Sequence, residues 1–169
     1  FPGLQGGPHE HQIGALATQL KYVKTEEYKK YINQVLLNSR KLAEHLIKFG
    51  FNVLTGGTDN HIILINLKNK GISGNKVEKL CELINISINK NSVKGDKSAL
   101  SPNGIRIGTP SITTRGMKEK DMIVISGFID TIVNLGIKIQ KISGTKMNDF
   151  NNLLKKEENM KIINEIKNE

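Results

Sequence analysis

The prolines of this chain are confined to two short stretches, residues 2–8 and 102–110. Gly-Gly pairs stand at 6–7 and 56–57. Proline fixes the backbone and removes a hydrogen-bond donor, whereas glycine opens conformations that other residues avoid. The interval 11–101 therefore contains no proline that would interrupt a helix or a strand, and long regular elements are predicted there.

A long helix is predicted between Glu26 and Phe49, with Gly50 as its C-terminal stop. Its apolar residues recur at spacings of three and four, which places them on one helical face. They are Tyr28, Tyr31, Ile32, Val35, Leu36, Leu42, Ala43, Leu46 and Ile47. An earlier helix is predicted from Pro8 to about Lys24, because proline suits a first helical turn.

Short apolar runs and strict alternation predict strands in the middle of the chain. The predicted strands are Phe51–Leu54, His61–Leu67, Ile84–Asn89 and Ile105–Ile107, and residues 90–103 are predicted to form a polar loop. Further helices are predicted over Asn75–Ile84 and Lys118–Ile137, and one last helix is predicted to open at Asn148. This order of elements predicts the α/β class, with a mixed sheet and flanking helices.

The charge balance invites a nucleic-acid interpretation, since 25 basic and 16 acidic residues give a net charge of +9. Only Arg40, Arg106 and Arg115 are arginines, and aromatic residues make up 5% of the chain. This composition favours a lysine-covered surface over a polyanion-binding patch, and a basic RNA-binding module stays as an alternative. No apolar run approaches the ~20 residues of a membrane span, so no membrane association is expected, and no targeting leader is visible.

A single cysteine excludes an internal disulfide and fits a reducing compartment. Cys81 lies on the apolar stripe of a predicted helix, where a buried, inert thiol is expected. No metal site is predicted, because His9 and His11 are two residues apart and fall on different helical faces. His45 has no partner in the sequence, and His61 at a strand entry is interpreted as structural.

Three stretches could carry chemistry, and the first is Gln5-Gly6-Gly7-Pro8 at a helix entrance. Glycines allow close backbone approach, and N–H groups at a helix N-terminus favour an anion such as phosphate. The alternative is an ordinary turn that begins a helix.

The second stretch, 104–116, contains Arg106 and Arg115. A planar guanidinium binds a carboxylate through two parallel hydrogen bonds, which an ammonium cannot match. Arg106 alternates with Ile105 and Ile107 along the predicted strand. Its guanidinium is therefore expected on the face opposite to the one that the two isoleucines bury. The alternative is a structural ion pair or a solvent-facing arginine, and for Arg115 a structural role is favoured.

The third stretch is Asn89-Lys90-Asn91-Ser92, followed by a loop through Asp96, Ser98, Ala99 and Leu100. Its amide and hydroxyl groups could recognise a heterocycle, and alone it is only a polar loop.

Four motifs in this order resemble the C-terminal part of serine hydroxymethyltransferase, over about residues 1–137. They are Phe1-Pro2-Gly3-Leu4-Gln5-Gly6-Gly7-Pro8-His9, Gly56-Gly57-Thr58-Asp59-Asn60-His61, Asn89-Lys90-Asn91, and Gly104-Ile105-Arg106-Ile107-Gly108-Thr109-Pro110 with Thr113-Thr114-Arg115-Gly116. The resemblance implies a fold-type I enzyme dependent on pyridoxal 5'-phosphate (PLP). Such an enzyme interconverts serine plus tetrahydrofolate with glycine plus 5,10-methylenetetrahydrofolate, as a homodimer or a dimer of dimers.

The resemblance also implies roles for individual residues. The backbone of Gly6 and Gly7 would contact the PLP phosphate of the neighbouring subunit, and Arg106 would bind the amino-acid carboxylate. Asn91 would contact the folate ring, with Ser98-Ala99-Leu100 in the folate loop. His61 and Arg115 match motif positions interpreted as structural.

No catalytic residue is expected within the chain itself, because the family's Schiff-base lysine belongs to a motif upstream of Phe1. The 169 residues alone are therefore expected to be inactive, as a piece of a larger enzyme. Departures from the family pattern are Glu10 for a frequent Asn, Lys94 for a usual Pro and Ser111 for a usual Ala. Lys94 is expected to loosen the folate loop.

The resemblance places a domain boundary near residue 24. Residues 1–24 would end the large PLP-binding domain, and residues 25–169 would form the small C-terminal domain with a charged helical tail. A paralogue that has lost catalysis and acts by dimerising with an active copy is the alternative function. The expected compartment is the cytoplasm, with mitochondria or plastids as alternatives.

Overall fold

The computed structural model describes residues 3–168, so Phe1 and Pro2 of the first motif, and Glu169, lie outside the described residues. The helices are α1 (Glu10–Tyr22), α2 (Glu26–Lys48), α3 (Gly74–Leu83), α4 (Pro110–Thr114), α5 (Glu119–Ser143), α6 (Met147–Leu154) and α7 (Glu157–Asn168). The strands are β1 (Asn52–Val53), β2 (Ile62–Asn66), β3 (Asn89–Asn91) and β4 (Gly104–Gly108).

The four strands form one sheet in the order β1-β2-β4-β3. The α/β class with flanking helices is confirmed, but every described pairing is antiparallel, where a mixed sheet was expected. Strands β2 and β3 do run in the same direction. They do not pair with each other because β4 lies between them and opposes both.

One face of the sheet packs against helices α2, α3 and α5. Alternation along β2 and β4 sends Ile63, Ile65 and Ile105 into the core with no exposed surface. The helices meet them with Leu42 and Leu46 of α2, Val77 and Leu80 of α3, and Ile129 and Ile132 of α5. On the opposite face Asn89 of β3 and Arg106 of β4 are exposed, so residues 3–168 leave this face uncovered at these positions.

Helix α2 has clear signals at both ends. The Thr25 hydroxyl accepts a hydrogen bond of 3.2 Å from the backbone N–H of Tyr28, and this caps the first turn. At the other end Gly50 has φ of 76°, the left-handed conformation that terminates a helix at low cost in glycine. The predicted stop at Gly50 is confirmed.

Helix α5 is the one helix of residues 3–168 that is long and apolar enough to cross a membrane by length and composition. Burial in the protein core explains this apolar character, because Met122, Ile129, Ile132 and Val133 are fully buried. We therefore assign α5 as the central core helix of this domain.

The predicted strand over Ile84–Asn89 is wrong for its first five residues. The chain instead turns after α3, where Asn85 takes a positive φ of 59° and the N–H of Ile86 donates to the carbonyl of Cys81. Ile84 and Ile88 are still buried, so the alternation reports burial rather than an extended backbone. The strand is β3, Asn89–Asn91, which takes the first two residues of the predicted 90–103 loop.

The tail folds as two helices, whereas a single one was predicted, and it begins after Lys146 rather than at Asn148. Both Phe150 and Ile163 are buried against the core. Along one continuous helix these residues would lie about 140° apart, on different faces. The break between α6 and α7 allows both to reach the core.

Helix α6 is also held by a buried lysine of α3. The Lys76 ammonium donates to Oε1 of Gln140 at 2.8 Å and lies 4.9 Å from the ring centre of Phe150. Burial lowers the pKa of Lys76 from its ordinary value.

Helix α1 contrasts with the rest of the chain, because none of its residues is buried. Ile13, Leu16 and Leu20 follow helical spacing and are each more than half exposed.

Candidate functional site

Arg106 lies at the middle of β4, on the uncovered face of the sheet. Its neighbours Ile105 and Ile107 are buried on the opposite face, as their phase predicts. The guanidinium is exposed, and its one hydrogen bond within residues 3–168 is a 3.3 Å contact from Nη2 to Oδ1 of Asn89. No ion pair involves Arg106 in that part of the chain.

Asn91 and Arg106 come from separate motifs, and strand pairing brings them to one face. In the β3–β4 ladder Asn89 is paired with Arg106 and Asn91 with Gly104. Because side chains alternate along a strand, Asn89, Asn91 and Arg106 all project from the same side of the sheet. This side carries a fixed cation next to two amides, which suits a ligand with a carboxylate and a polar ring.

The loop after β3 has an ordered base and an exposed tip. Ser98, Ala99 and Leu100 are all exposed, Leu100 at 83% of its surface. The Asn91 amide is not committed to the core, since within residues 3–168 its Nδ2 donates only to the adjacent Ser92 carbonyl, at 2.8 Å. Lys94 is tied through its backbone, whose carbonyl accepts 2.8 Å from Nζ of Lys68, and any residue at position 94 would offer this contact.

A groove of about 910 Å³ runs beside this hairpin, and Arg106 is not among its lining residues. Asn89, Lys90 and Leu100 line one side of the groove, while Glu78 and Lys79 of α3 line the other. The carboxyl of Glu78 also accepts a 2.9 Å hydrogen bond from the backbone N–H of Lys90, which holds β3 against α3.

Gly6 and Gly7 are exposed and precede the N-terminus of α1. A Cβ added at either glycine would meet nothing within 4 Å in this chain. Gly7 lines a shallow depression with His9 and His11, and the depression includes no residue of β3 or β4. Within the described residues, the candidate phosphate-binding glycines Gly6 and Gly7 are therefore not joined to the sheet face that carries Arg106.

A polar network that sequence reasoning missed fixes the end of β4. The Thr109 hydroxyl donates 2.9 Å to the carbonyl of Val35, and Nδ2 of Asn38 donates 2.9 Å to both Oγ1 of Thr113 and the carbonyl of Met117. Asn38 and Thr109 have no exposed surface. Since Thr109 is three residues beyond Arg106, this network holds the strand that carries the arginine. The available signal was an Asn inside the apolar stripe of α2.

The structural roles of the His61 and Arg115 side chains stay predictions. The His61 carbonyl accepts a 3.2 Å hydrogen bond from the backbone N–H of Thr109, while Arg115 follows α4, is exposed and forms no ion pair within residues 3–168. Cys81 is fully buried, and burial raises the pKa of its thiol to about 12. Within residues 3–168 no three His, Cys, Asp or Glu side chains are grouped as metal ligands.

Comparisons with known proteins cover most of the chain. The sequence model of the family described as serine hydroxymethyltransferase matches residues 1–129. A serine hydroxymethyltransferase of Bombyx mori is 47% identical over 168 residues, covering 99% of this chain and 36% of the relative. Serine hydroxymethyltransferase 3, chloroplastic, of Arabidopsis thaliana is 49% identical over 152 residues, covering 89% and 29%. The cytosolic serine hydroxymethyltransferase of Candida albicans is 49% identical over 155 residues, covering 90% and 33%. The chain thus spans about a third of the length of the curated relatives that it matches.

Proposed function

The chain belongs to the serine hydroxymethyltransferase family, and from this premise we propose that it forms the C-terminal part of a PLP-dependent hydroxymethyl transferase. The proposed reaction interconverts serine plus tetrahydrofolate with glycine plus 5,10-methylenetetrahydrofolate. The 169 residues alone would bind and orient substrates without catalysing the reaction, because none of their lysines stands in the family's Schiff-base motif.

The observation that carries this proposal is the free guanidinium of Arg106 on a rigid strand. It is exposed, and within the described residues its one hydrogen bond is to Asn89. A bidentate pair with the substrate carboxylate would fix the amino acid in one orientation and align the bond to be broken. Asn89, its cross-strand neighbour, would keep the guanidinium plane facing the ligand.

We propose that tetrahydrofolate is recognised by Asn91 and the loop tip Ser98-Ala99-Leu100. The Asn91 amide offers one donor group and one acceptor to a heterocycle. Leu100 would supply apolar contact, since it is 83% exposed in this chain and gains from being covered.

Gly6 and Gly7 would hold the PLP phosphate of the neighbouring subunit. The donor set fits an anion, because two backbone N–H groups without side chains precede a helix N-terminus. The Glu10 carboxylate in the first turn of α1 acts against this binding. When bound, PLP supplies the electron sink for cleavage at the amino acid.

The absence of buried residues in α1 supports a boundary near residue 24, with residues 1–24 packing on a large domain and 25–169 as the small domain. We further propose a homodimer or a dimer of dimers, because a phosphate site shared between subunits requires one.

A cytoplasmic location is our proposal for the compartment, and the fully buried, reduced Cys81 is compatible with it. The names of the relatives include cytosolic and chloroplastic proteins and do not decide it.

The test uses the PLP-loaded enzyme of which this chain forms the C-terminal part. Arg106→Lys keeps the charge but loses the planar fork, so the serine KM is expected to rise while thermal stability is unchanged. Arg106→Ala leaves the carboxylate unpaired and is expected to cost about 1.5–3 kcal/mol, roughly 10- to 150-fold in serine affinity.

The matched control is Arg40→Lys, since Arg40 is an exposed arginine of α2 away from β3 and β4. Serine affinity should be unchanged in this variant. Equal serine affinity in the Arg106 and Arg40 variants would refute the carboxylate role of Arg106. An unsubstituted enzyme with no hydroxymethyl transfer would favour the alternative of a dimerising regulator.

A further inference from the structure

The loop between β3 and β4 is fastened at its base by one side chain, Asp96. Its Oδ2 accepts 2.9 Å hydrogen bonds from the backbone N–H groups of Val93 and Asn103, and its Oδ1 accepts 2.7 Å from Nδ2 of Asn103. Val93 follows β3 and Asn103 precedes β4, so one carboxylate joins the two ends of the loop. The side chain of Asp96 is 4% exposed.

Lys68, in the short 3-10 turn that follows β2, supports this junction. Nζ of Lys68 lies 3.5 Å from Oδ1 of Asp96 and donates 2.8 Å to the carbonyl of Lys94. The hydrogen bonds from Asn103 and Val93 hold the pKa of the Asp96 carboxyl well below its usual range, so it is ionised at neutral pH. Charge-assisted hydrogen bonds of this kind are the stronger ones in proteins.

The junction divides the loop into a fixed base and a short free tip. Twelve residues, 92–103, separate β3 from β4, and between Asp96 and Asn103 only residues 97–101 are free, because Pro102 is buried and its carbonyl accepts a 2.7 Å hydrogen bond from the N–H of Gly74. Shortening the free segment lowers the entropy that a ligand must remove when it orders the tip. Residues 97–101 are all exposed. The contacts described above hold the base of the loop, and the tip is left accessible to a ligand.

We propose that Asp96 is a positioning residue for tetrahydrofolate binding, which holds the Ser98–Leu100 tip at a fixed distance from Asn91 and Arg106. This inference rests on the proposed function for the identity of the ligand. In this proposal Asp96 does not touch the ligand and acts through the two ends of the loop. Val93, at one end, follows Asn91 by two residues, and Asn103, at the other end, precedes Arg106 by three.

The first experiment measures loop order in the 169-residue chain by tryptic cleavage after Lys97, an exposed site within the tip. Asp96→Ala is expected to accelerate this cleavage severalfold, because a protease needs a locally opened segment. Asp59→Ala, at an exposed aspartate of another loop, is the matched control and should leave the cleavage rate unchanged. Unaltered cleavage in Asp96→Ala would overturn the proposal.

A swap of the acid and the amide keeps the test independent of general destabilisation. Asn103→Asp alone sets two carboxylates against each other and is expected to open the loop. The double variant Asp96→Asn/Asn103→Asp restores an acid–amide pair in the reverse sense, and slow cleavage should return. Failure of the double variant to restore slow cleavage would contradict the pairing.

The second experiment separates positioning from a merely structural role in the PLP-loaded enzyme. Asp96→Ala is expected to raise the KM for tetrahydrofolate severalfold while the KM for serine stays unchanged. Equal changes in both constants, or faster cleavage with neither constant changed, would overturn the positioning role. If the unsubstituted enzyme binds no tetrahydrofolate, the proposed function fails instead, and the cleavage assay still decides whether Asp96 orders the loop.

Discussion

Replacing Asn38 by alanine tests whether the buried network behind β4 stabilises the domain. The Asn38 side chain is fully buried, and its Nδ2 donates 2.9 Å to both Oγ1 of Thr113 and the carbonyl of Met117. Its Oδ1 accepts 3.0 Å from Nε2 of Gln34, which also donates to the carboxyl of Glu119. Alanine removes the two N–H donors of Asn38, so the Thr113 hydroxyl and the Met117 carbonyl each lose a hydrogen bond.

The magnitude follows from what each acceptor retains. The Thr113 hydroxyl still donates 2.8 Å to the carbonyl of Thr109, whereas the half-buried Met117 carbonyl loses its side-chain partner. A buried group left unsatisfied costs about 1–3 kcal/mol, and the cavity left by the amide adds to this. We expect Asn38→Ala to lower the free energy of unfolding by about 2–4 kcal/mol. For a chain of this size the Tm should fall by roughly 5–15 °C.

Urea and thermal unfolding of the 169-residue chain, followed by far-ultraviolet circular dichroism, measure this loss. The matched control is Asn134→Ala, because Asn134 is an exposed asparagine whose Nδ2 donates 2.9 Å to Asp130 within α5. An exposed substitution of this kind should change stability by less than about 0.5 kcal/mol. Equal losses in the two variants would refute the reasoning.

A double-mutant cycle with Thr113→Val isolates the contact itself. The two residues share one hydrogen bond, so the effects of the single substitutions should not add, with a coupling of about 0.5–3 kcal/mol. Additive effects would show that Asn38 acts through packing alone.

Two further predictions concern the β3–β4 hairpin and the buried thiol. Gly104→Ala would set a Cβ 2.6 Å from the carbonyl oxygen of Asn91, a backbone atom that cannot yield, so we expect weaker β3–β4 pairing, seen as faster amide exchange in β3; unchanged exchange would contradict this. Burial raises the pKa of Cys81 from 9.0 to about 12, so the folded state keeps its proton longer and stability should fall as pH rises from about 9 to 12. The slope in that window is about 1.4 kcal/mol per pH unit for one group, and Cys81→Ala should remove it from the urea-unfolding curve; identical pH profiles for the two proteins would oppose the assignment.

Elements with their own periodicity could be predicted from the sequence because their stabilising contacts are set by local spacing. Helix α2 was predicted from apolar residues at three- and four-residue intervals, and Gly50 as its stop from the conformational freedom of glycine. The direction of Arg106 likewise followed from its phase between two buried isoleucines. Each of these features depends on residues within a few positions.

The errors arose where a pattern reports burial but not conformation. Ile84, Ile86 and Ile88 alternate like a strand, yet the chain turns there and buries two of them from an irregular backbone. In the tail the helical pattern was correct, but Phe150 and Ile163 reach one core only because the helix breaks between them.

The sequence by itself determined the α/β class, the main helices and strands, and the family to which the chain belongs. Tertiary structure alone decided that Asn89, Asn91 and Arg106 share one face, that Asp96 closes the loop onto Asn103, and that Asn38 holds the segment behind β4. Asn38 meets a residue 75 positions away in the chain, and Asn89 meets one 17 positions away. Whether a polar side chain finds such a partner depends on how helices and strands pack, and no local spacing in the sequence records that.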